Sequence, residues 1–338
     1  MDDKKIAVSI VVPVYNVQNF LSDCLESVVG QTLKETEVIL VNDASTDRSL
    51  TIMKKYEKQY PDKVHIIDSK YNKGAGGARN LGIENAGGEY IGFVDSDDIV
   101  DITMFEKMYR KAMEGNYDVV DTGYYKQADN FAILHTSDEC TGILDAEKRK
   151  ALIVSGGYIF SKIYRKSLFA NQTMRFRNNV ILEDADFLTY VYGTVRSIGT
   201  VKEVLYYYKN HEMSVSHIKN PKEYYQNIYD AMSAIYKKVS SLGNYHEIRE
   251  AVEYEMLQMY SYGINVCLKA YLDGKEEEYE ILLAKIAELK SQIICGGYEN
   301  TYVQEKIDAL DIAIMQLNDM SSKELLQWAD HQARGDDK

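Results

Sequence analysis

Four short runs rich in β-branched and other apolar residues, at 6–13, 37–42, 64–68 and 90–94, alternate with helical periodicity at 17–29, 47–60 and 76–86. The pattern predicts β-α-β-α-β-α-β. Strands alternating with helices imply a mostly parallel sheet with helices on both faces, and ligands in such sheets sit beyond the carboxyl ends of the strands. After Asp98 the sequence predicts a helix at 103–114 and a strand at 117–125, then a less regular stretch to about Val215. From Pro221 the pattern is helical, with segments at 222–241, 247–271, 276–294 and 303–317; in the third, Leu282, Ile286, Leu289 and Ile293 form one apolar stripe. The expected organisation is an α/β domain over 1–215, divided near residue 100, followed by an all-helical domain over 216–338. The helices are expected to pack against each other or against a second copy of the chain, with Tyr254, Tyr260 and Tyr262 in the core.

At 338 residues and 45% hydrophobic, the chain can bury a sizeable core. Its formal charge is −13, and 12 basic against 21 acidic residues from Pro221 onward place most of that excess on the helical tail. This acidity, without any Lys/Arg cluster, argues against a nucleic-acid partner. The apolar stretch at 6–14 is interrupted by Ser9 and Pro13 and is too short for a membrane span or a signal peptide, so a cytoplasmic location is expected, with peripheral contact at the inner membrane compatible with it. Cys24, Cys140, Cys267 and Cys295 lie far apart, which suits buried thiols better than a zinc site or a disulfide framework.

The strand ends carry the chemistry. The first ends Val12-Pro13-Val14-Tyr15-Asn16 and the second Val41-Asn42-Asp43-Ala44-Ser45-Thr46-Asp47. Tyr15 offers an aromatic face, and Asp43 is either a hydrogen-bond acceptor for a base or ribose or a turn aspartate. Asp47 reads as a helix N-cap. After the third strand, the glycines of Asn72-Lys73-Gly74-Ala75-Gly76-Gly77-Ala78-Arg79-Asn80 allow close backbone approach before a helix, and Arg79 can meet a phosphate or hold an acidic loop. The fourth strand ends Asp95-Ser96-Asp97-Asp98; three carboxylates so close repel one another, and a hard divalent cation relieves that. Asp98 and Asp101 suit capping of the following helix better than Asp95 and Asp97 do. Glu183-Asp184 stands at the expected start of a later helix, where by itself it reads as capping and dipole compensation.

Taken in order, Pro-Val-Tyr-Asn, Asn-Asp-x-Ser-Thr-Asp, Ala78-Arg79-Asn80, Gly88-Glu89-Tyr90 and Asp95-Ser96-Asp97-Asp98 make residues 8–98 resemble glycosyltransferase family 2, whose catalytic domain has the Rossmann-like GT-A fold. The likeness continues more loosely through Lys162-Ile163-Tyr164-Arg165-Lys166 and Leu182-Glu183-Asp184, and does not cover the tail. It implies a nucleotide-binding half over 1–100 and an acceptor half over 101–215. It also implies an inverting transfer from a nucleoside-diphosphate sugar, with UDP the expected nucleotide, to a glycan, polymer or lipid-linked saccharide, as in making bacterial surface polysaccharides. On this resemblance Pro13, Tyr15 and Asp43 hold the nucleoside, Arg79 supports the donor site and Asp95-Ser96-Asp97 is the Asp-x-Asp motif. Asp97 would contact Mn2+ or Mg2+, with Asp95 turned to ribose or metal-bound water. Asp184 would be the catalytic base, with Glu183 on the acceptor side. Ala44 stands where many relatives have Gly, and Gly157-Tyr158-Ile159-Phe160 replaces a Trp-containing stretch. His211 and His217 read as surface histidines, with closure on the diphosphate as the alternative. Two other readings compete: a sugar nucleotidyltransferase, which would need a basic triphosphate loop after the first strand, and a nucleotide- or glycan-binding module without activity.

Overall fold

All seven residues of β1 (Val8–Val14) are buried, which is why this strand runs apolar without alternating: both of its faces are covered. The structure is a computed structural model that describes residues 5–128, 130–209, 221–273, 276–306 and 320–334. After β1 come α1 (Leu21–Val29), β2 (Thr36–Asn42), α2 (Ser49–Gln59), β3 (Val64–Asp68), α3 (Gly74–Asn85) and β4 (Tyr90–Phe93). Next are β5 (Ile99–Val100), α4 (Met104–Gly115), β6 (Val119–Lys126), β7 (Phe131–Ile133), β8 (Gly142–Ile143), α5 (Ala146–Ser155), β9 (Lys162–Arg165), α6 (Glu183–Thr194) and β10 (Ser197–Tyr208). They make one mixed sheet in the order β3-β2-β1-β4-β9-β6-β10-β5, with β7 on β6 and β8 on β10. β1 to β4 are mutually parallel, β9 runs antiparallel between β4 and β6, and β10 is parallel to β6.

The chain runs outward from β1 through β2 to β3, then returns to lay β4 on β1's other side. In sheets of this kind such a reversal, here at the carboxyl ends of β1 and β4, marks the crevice where ligands bind. Met53, Tyr90, Met104, Phe105, Phe160 and Tyr206 are among the large side chains of the core cluster.

Two expectations need adjusting. The first helix starts at Leu21 rather than near Val17; the amides of Asn16, Val17 and Gln18 donate to Ser45, Ser49 and Asp47, which fixes this segment to the loop after β2. The stretch expected to be less regular contains α6 and the 12-residue β10. Register shifts on β6 between Val201 and Val204 and between Val204 and Tyr206 erase the two-residue alternation that would have marked that strand.

Residues 1–214 and 215–338 form two compact units. In the second, α7 (Pro221–Val239), α8 (Tyr245–Leu272) and α9 (Glu276–Ile293) pack on one another, while α10 (Thr301–Lys306) lies on α8 and α11 (Ser322–Arg334) on α8 and α9. Tyr225, Tyr254 and Tyr260 are buried there, but Tyr262 is 49% exposed and meets Tyr224 edge-on, so it is not a core residue. Cys24 and Cys140 are buried as expected; Cys295 is exposed, contrary to the reading of all four as buried thiols. Among the described residues no helix is long and apolar enough to cross a membrane. His211, His217 and residues 307–317 of the fourth expected tail helix lie outside the described residues.

Candidate active site

The loops after β1 and β2 are laced together at the sheet's carboxyl edge. Asn16, in a left-handed conformation, accepts the Thr46 amide at 2.8 Å, and the Asp47 carboxylate accepts the amides of Gln18 (3.0 Å) and Ser49 (2.8 Å). Asp47 thus serves the first turn of α2 as expected, although Arg48 holds the N-cap position. Burial pushes its carboxyl up, but bonds from Ser49 and Gln18 leave it below the usual range. Tyr15 projects from this edge, 49% exposed, while Pro13 is buried within β1.

Asp43 is only 2% exposed, and its Oδ1 accepts the Lys73 amide at 2.8 Å. Burial raises its pKa against the opposing bonds from Lys73 and Gly74. It therefore ties the end of β2 to the turn before α3. The glycines of that turn serve packing: a Cβ on Gly76 would stand 2.1 Å from the Arg177 carbonyl oxygen, so only glycine lets residues 176–179 cross the start of α3.

Arg79 lies one turn into α3, 5% exposed, and its guanidinium bridges two loops. One arm donates to Asp95 Oδ1 (2.8 Å) and the other to Glu183 Oε1 (2.5 Å). Burial works against the cation, and Asp95 and Glu183 more than offset it, so its pKa is raised. Of its two sequence-level readings, holding acidic loops is the one the contacts show.

In the turn after β4, Ser96 is buried and Asp95 and Asp97 are partly exposed. Asp98 is 1% exposed and caps no helix, contrary to expectation. Its carboxylate accepts the Tyr206 hydroxyl (2.6 Å) and the Lys209 amide (2.8 Å), fastening the turn to the end of β10. Burial raises its pKa well above the ordinary range, and Asp95 and Asp97 add to the effect. The Asp101 carboxylate accepts the amide of Thr103, the N-cap residue of α4, at 2.8 Å, so it steadies the entry to the helix without bonding to its first-turn amides. Among the described residues no group of three acidic, His or Cys side chains could hold a metal alone. With Asp98 committed to Tyr206 and Lys209, the turn offers Asp97 and the remaining capacity of Asp95. That suits a Mg2+-like cation bound by one or two carboxylates, with diphosphate and water supplying the rest of its shell.

At the start of α6 three carboxylates sit in one turn, following Leu182 at φ +61°, which is the N-cap without a side-chain bond. The capping reading of Glu183-Asp184 therefore fails, although the helix dipole still favours acids there. Their fates differ. Glu183 pairs with Arg79, and Asp186, fully buried, pairs with Arg177 at 2.6 Å. Asp184 joins neither pair and stays partly exposed. Burial, then the charge of Glu183, pushes its carboxyl up to about 6, with Arg79 opposing. The structure thus brings Arg79, Asp95 and the Glu183-Asp184 pair together through one guanidinium. It also adds Tyr206 and Arg177, which sequence reasoning missed; only the tyrosine run 206–208 in a β-rich stretch hinted at the first.

A family model for glycosyl transferase family 2 matches residues 9–183. Among curated proteins, an uncharacterized glycosyltransferase, EpsJ of Bacillus subtilis, is 32% identical over 247 residues, covering 70% of this chain and 71% of that protein. The poly(ribitol-phosphate) beta-glucosyltransferase of Bacillus spizizenii is 32% identical over 282 residues, 80% of this chain but only 43% of the relative. Staphylococcus aureus TarS 1–349, solved with UDP-GlcNAc, superposes with a TM-score of 0.71 at 20% identity, covering 97% of this chain and 92% of that one, and so shares the GT-A fold. The matched span holds every strand-end motif of the crevice, from Pro13 to Glu183, and on that match the chain belongs to glycosyl transferase family 2.

Proposed function

We propose that this glycosyltransferase moves a sugar from a UDP-sugar to a hydroxyl of a bacterial surface polymer, such as a polysaccharide or teichoic-type chain, with inversion at the anomeric carbon. The acceptor class is supported by the poly(ribitol-phosphate) relative and the donor class by the UDP-GlcNAc bound to TarS. In this reading Pro13, Tyr15 and Asp43 receive the nucleoside, Asp95 and Ser96 face the ribose and diphosphate, and Arg79 keeps Asp95 in place. Asp97 and Asp95 would hold Mn2+ or Mg2+, which when bound neutralises charge on the departing diphosphate.

The observation that carries the reading is the sorting of the three acids on α6: Glu183 and Asp186 are spent on arginines, and Asp184 alone remains, with its carboxyl near 6. An aspartate so poised accepts a proton better than one in water while staying ionised at neutral pH. Asp184 takes the proton of the acceptor hydroxyl as that oxygen attacks the anomeric carbon from the side opposite the leaving diphosphate. A single in-line displacement inverts the configuration. The nucleotidyltransferase alternative is disfavoured by the loop after β1, where the amides of Asn16, Val17 and Gln18, which a triphosphate would need, already donate to Ser45, Ser49 and Asp47.

Asp184→Asn keeps the size of the side chain and removes its basicity. Turnover should fall by about 10²–10⁴-fold with donor affinity and melting temperature nearly unchanged, since general-base catalysis is typically worth that much. Glu183→Gln should be milder. Near-parental turnover in Asp184→Asn would sink the assignment. Proton NMR of the anomeric product checks inversion independently.

A further inference from the structure

One buried ion pair has no part in that mechanism. Lys162 on β9 and Asp121 on β6 are almost wholly enclosed, with Nζ and Oδ1 3.1 Å apart. Asp121 also accepts the hydroxyls of Ser161 (2.7 Å) and Thr136 (2.7 Å), and Lys162 donates to Ser161 Oγ (3.1 Å) and to the Tyr158 carbonyl (3.0 Å). Taking two charges out of water is unfavourable, and an apolar pair of similar volume would serve stability as well or better. What the pair does here is hold a short stretch of backbone. Its bond to the Tyr158 carbonyl is matched by one from the Tyr192 hydroxyl to the Gly156 carbonyl (3.0 Å). Between them Gly157 sits at φ +128°, where a Cβ would lie 3.1 Å from both Lys162 Nζ and Tyr192 Oη. Residues 156–158 are pinned from below by two donors and a required glycine.

The side chain so placed is Tyr158. Its ring stacks on Phe160 (4.9 Å between centroids, 14° between planes), meets Tyr124 edge-on (5.0 Å) and remains partly exposed. Phe160 in turn stacks on Tyr206 at 4.1 Å, and the Tyr206 hydroxyl accepts the Asp95 amide and donates to Asp98. A row of rings therefore starts under the Asp95–Asp98 turn and surfaces at Tyr158. Through Phe160 and Tyr206 the ring is tied to the Asp95–Asp98 turn; burial raises its phenol pKa, with the charge of Lys126 opposing and that of Asp184 adding to the rise.

We propose that Tyr158 is the stacking face for the saccharide ring that receives the transferred sugar, and that the Lys162–Asp121 pair is its positioning element. The inference rests on the transferase reading above. A pyranose has an apolar face of C–H groups, and a large ring with few torsions buries that face at low entropic cost. Such contact is indifferent to most hydroxyl patterns, leaving Asp184 to select the hydroxyl that reacts.

The test uses the full chain and separates two reactions. Hydrolysis of the UDP-sugar without acceptor needs no stacking face and reports on the transferase reading by itself. Transfer to a panel of methyl glycosides, followed by mass spectrometry of the product, reports on the subsite. Tyr158→Ala should raise the acceptor KM by about tenfold, equivalent to about 1.4 kcal/mol, while donor hydrolysis and donor KM stay within about twofold. Tyr158→Phe should behave as the parent, because the face is kept. Lys162→Met would leave the buried Asp121 charged and without its lysine, so the double variant Lys162→Met/Asp121→Asn and the single variant Gly157→Ala serve instead; both should reproduce the selective rise in acceptor KM. An unchanged acceptor KM in Tyr158→Ala, or hydrolysis and transfer falling together, overturns the proposal.

Discussion

Between β1 and β4 each polar group of the crevice stands within a few residues of the strand end that positions it: Tyr15 after β1, Asp43 after β2, Asp95 to Asp98 after β4. Beyond β5 the arrangement is the reverse. Glu183 reaches Arg79 across 104 residues, Tyr206 reaches Asp98 across 108, and Ser161 reaches Asp121 across 40. The first region presents ligand groups from a repeating βα framework. The second supplies the braces and, in the proposed mechanism, the base: Glu183 and Asp186 are paired with arginines, and Asp184 is in neither pair.

If the metal-binding chemistry is local to the turn after β4, Asp97→Ala should produce the largest effect, abolishing metal-dependent UDP binding in calorimetry. Asp98 cannot substitute while it is fastened to Tyr206 and Lys209. UDP affinity in Mn2+ equal to the parent's would move the site elsewhere. The braces of the second region are probed by Arg177→Met, which leaves the buried Asp186 without its arginine. It should cost about 3 kcal/mol in denaturant unfolding, whereas Arg177→Met/Asp186→Leu should recover most of the loss. Equal stability of the single variant and the parent would show that the pair braces nothing.

A smaller effect is expected in the pH dependence. Asp184 must be ionised to accept a proton, so turnover should rise with pH up to about 6 and level off above it. Glu183→Gln removes a charge that raises this pKa and should shift the inflection downward; a profile flat from pH 5 to 8 would argue against Asp184. Linkage has the opposite sense for stability. The folded carboxyl binds its proton more tightly than the unfolded one, so between its ordinary range and about 6 this group's contribution to stability falls as pH rises. The smallest effect should come from Ala44→Gly. Ala44 sits at φ +59°, where an alanine is strained, and relief of roughly 1 kcal/mol is partly cancelled by the greater freedom of glycine in the unfolded chain. Thermal melts should show a gain of a degree or two, roughly, and a loss would mean that the methyl group packs.

The same contrast governs what could be read from the sequence. β1 to β4 and their helices are legible because period and turn residues act over ten or so residues, and the strand-end motifs fall inside those windows. The departure at Ala44 was visible as a letter, but its left-handed backbone was not. β10 escaped because its shifts on β6 break the alternation, and the tie from Asp98 to Tyr206 escaped because the two are remote in sequence. Tyr262 looked like Tyr260, two positions away, yet on a helix such neighbours point to different sides, and only Tyr260 faces inward. Which acids of the trio on α6 are paired is decided by Arg79 and Arg177, neither of which lies on that helix.

The guanidinium of Arg79 has a consequence for assembly. A nascent chain of only the first hundred residues contains Arg79 but not Glu183, the partner that helps make its burial tolerable. If Asp184 is the base, the donor side and the base are completed together when α6 packs against Arg79. Recombination between relatives is constrained accordingly: a hybrid that takes its first half from one family member and its second from another inherits a working centre only if both parents place an arginine and an acid at these two positions.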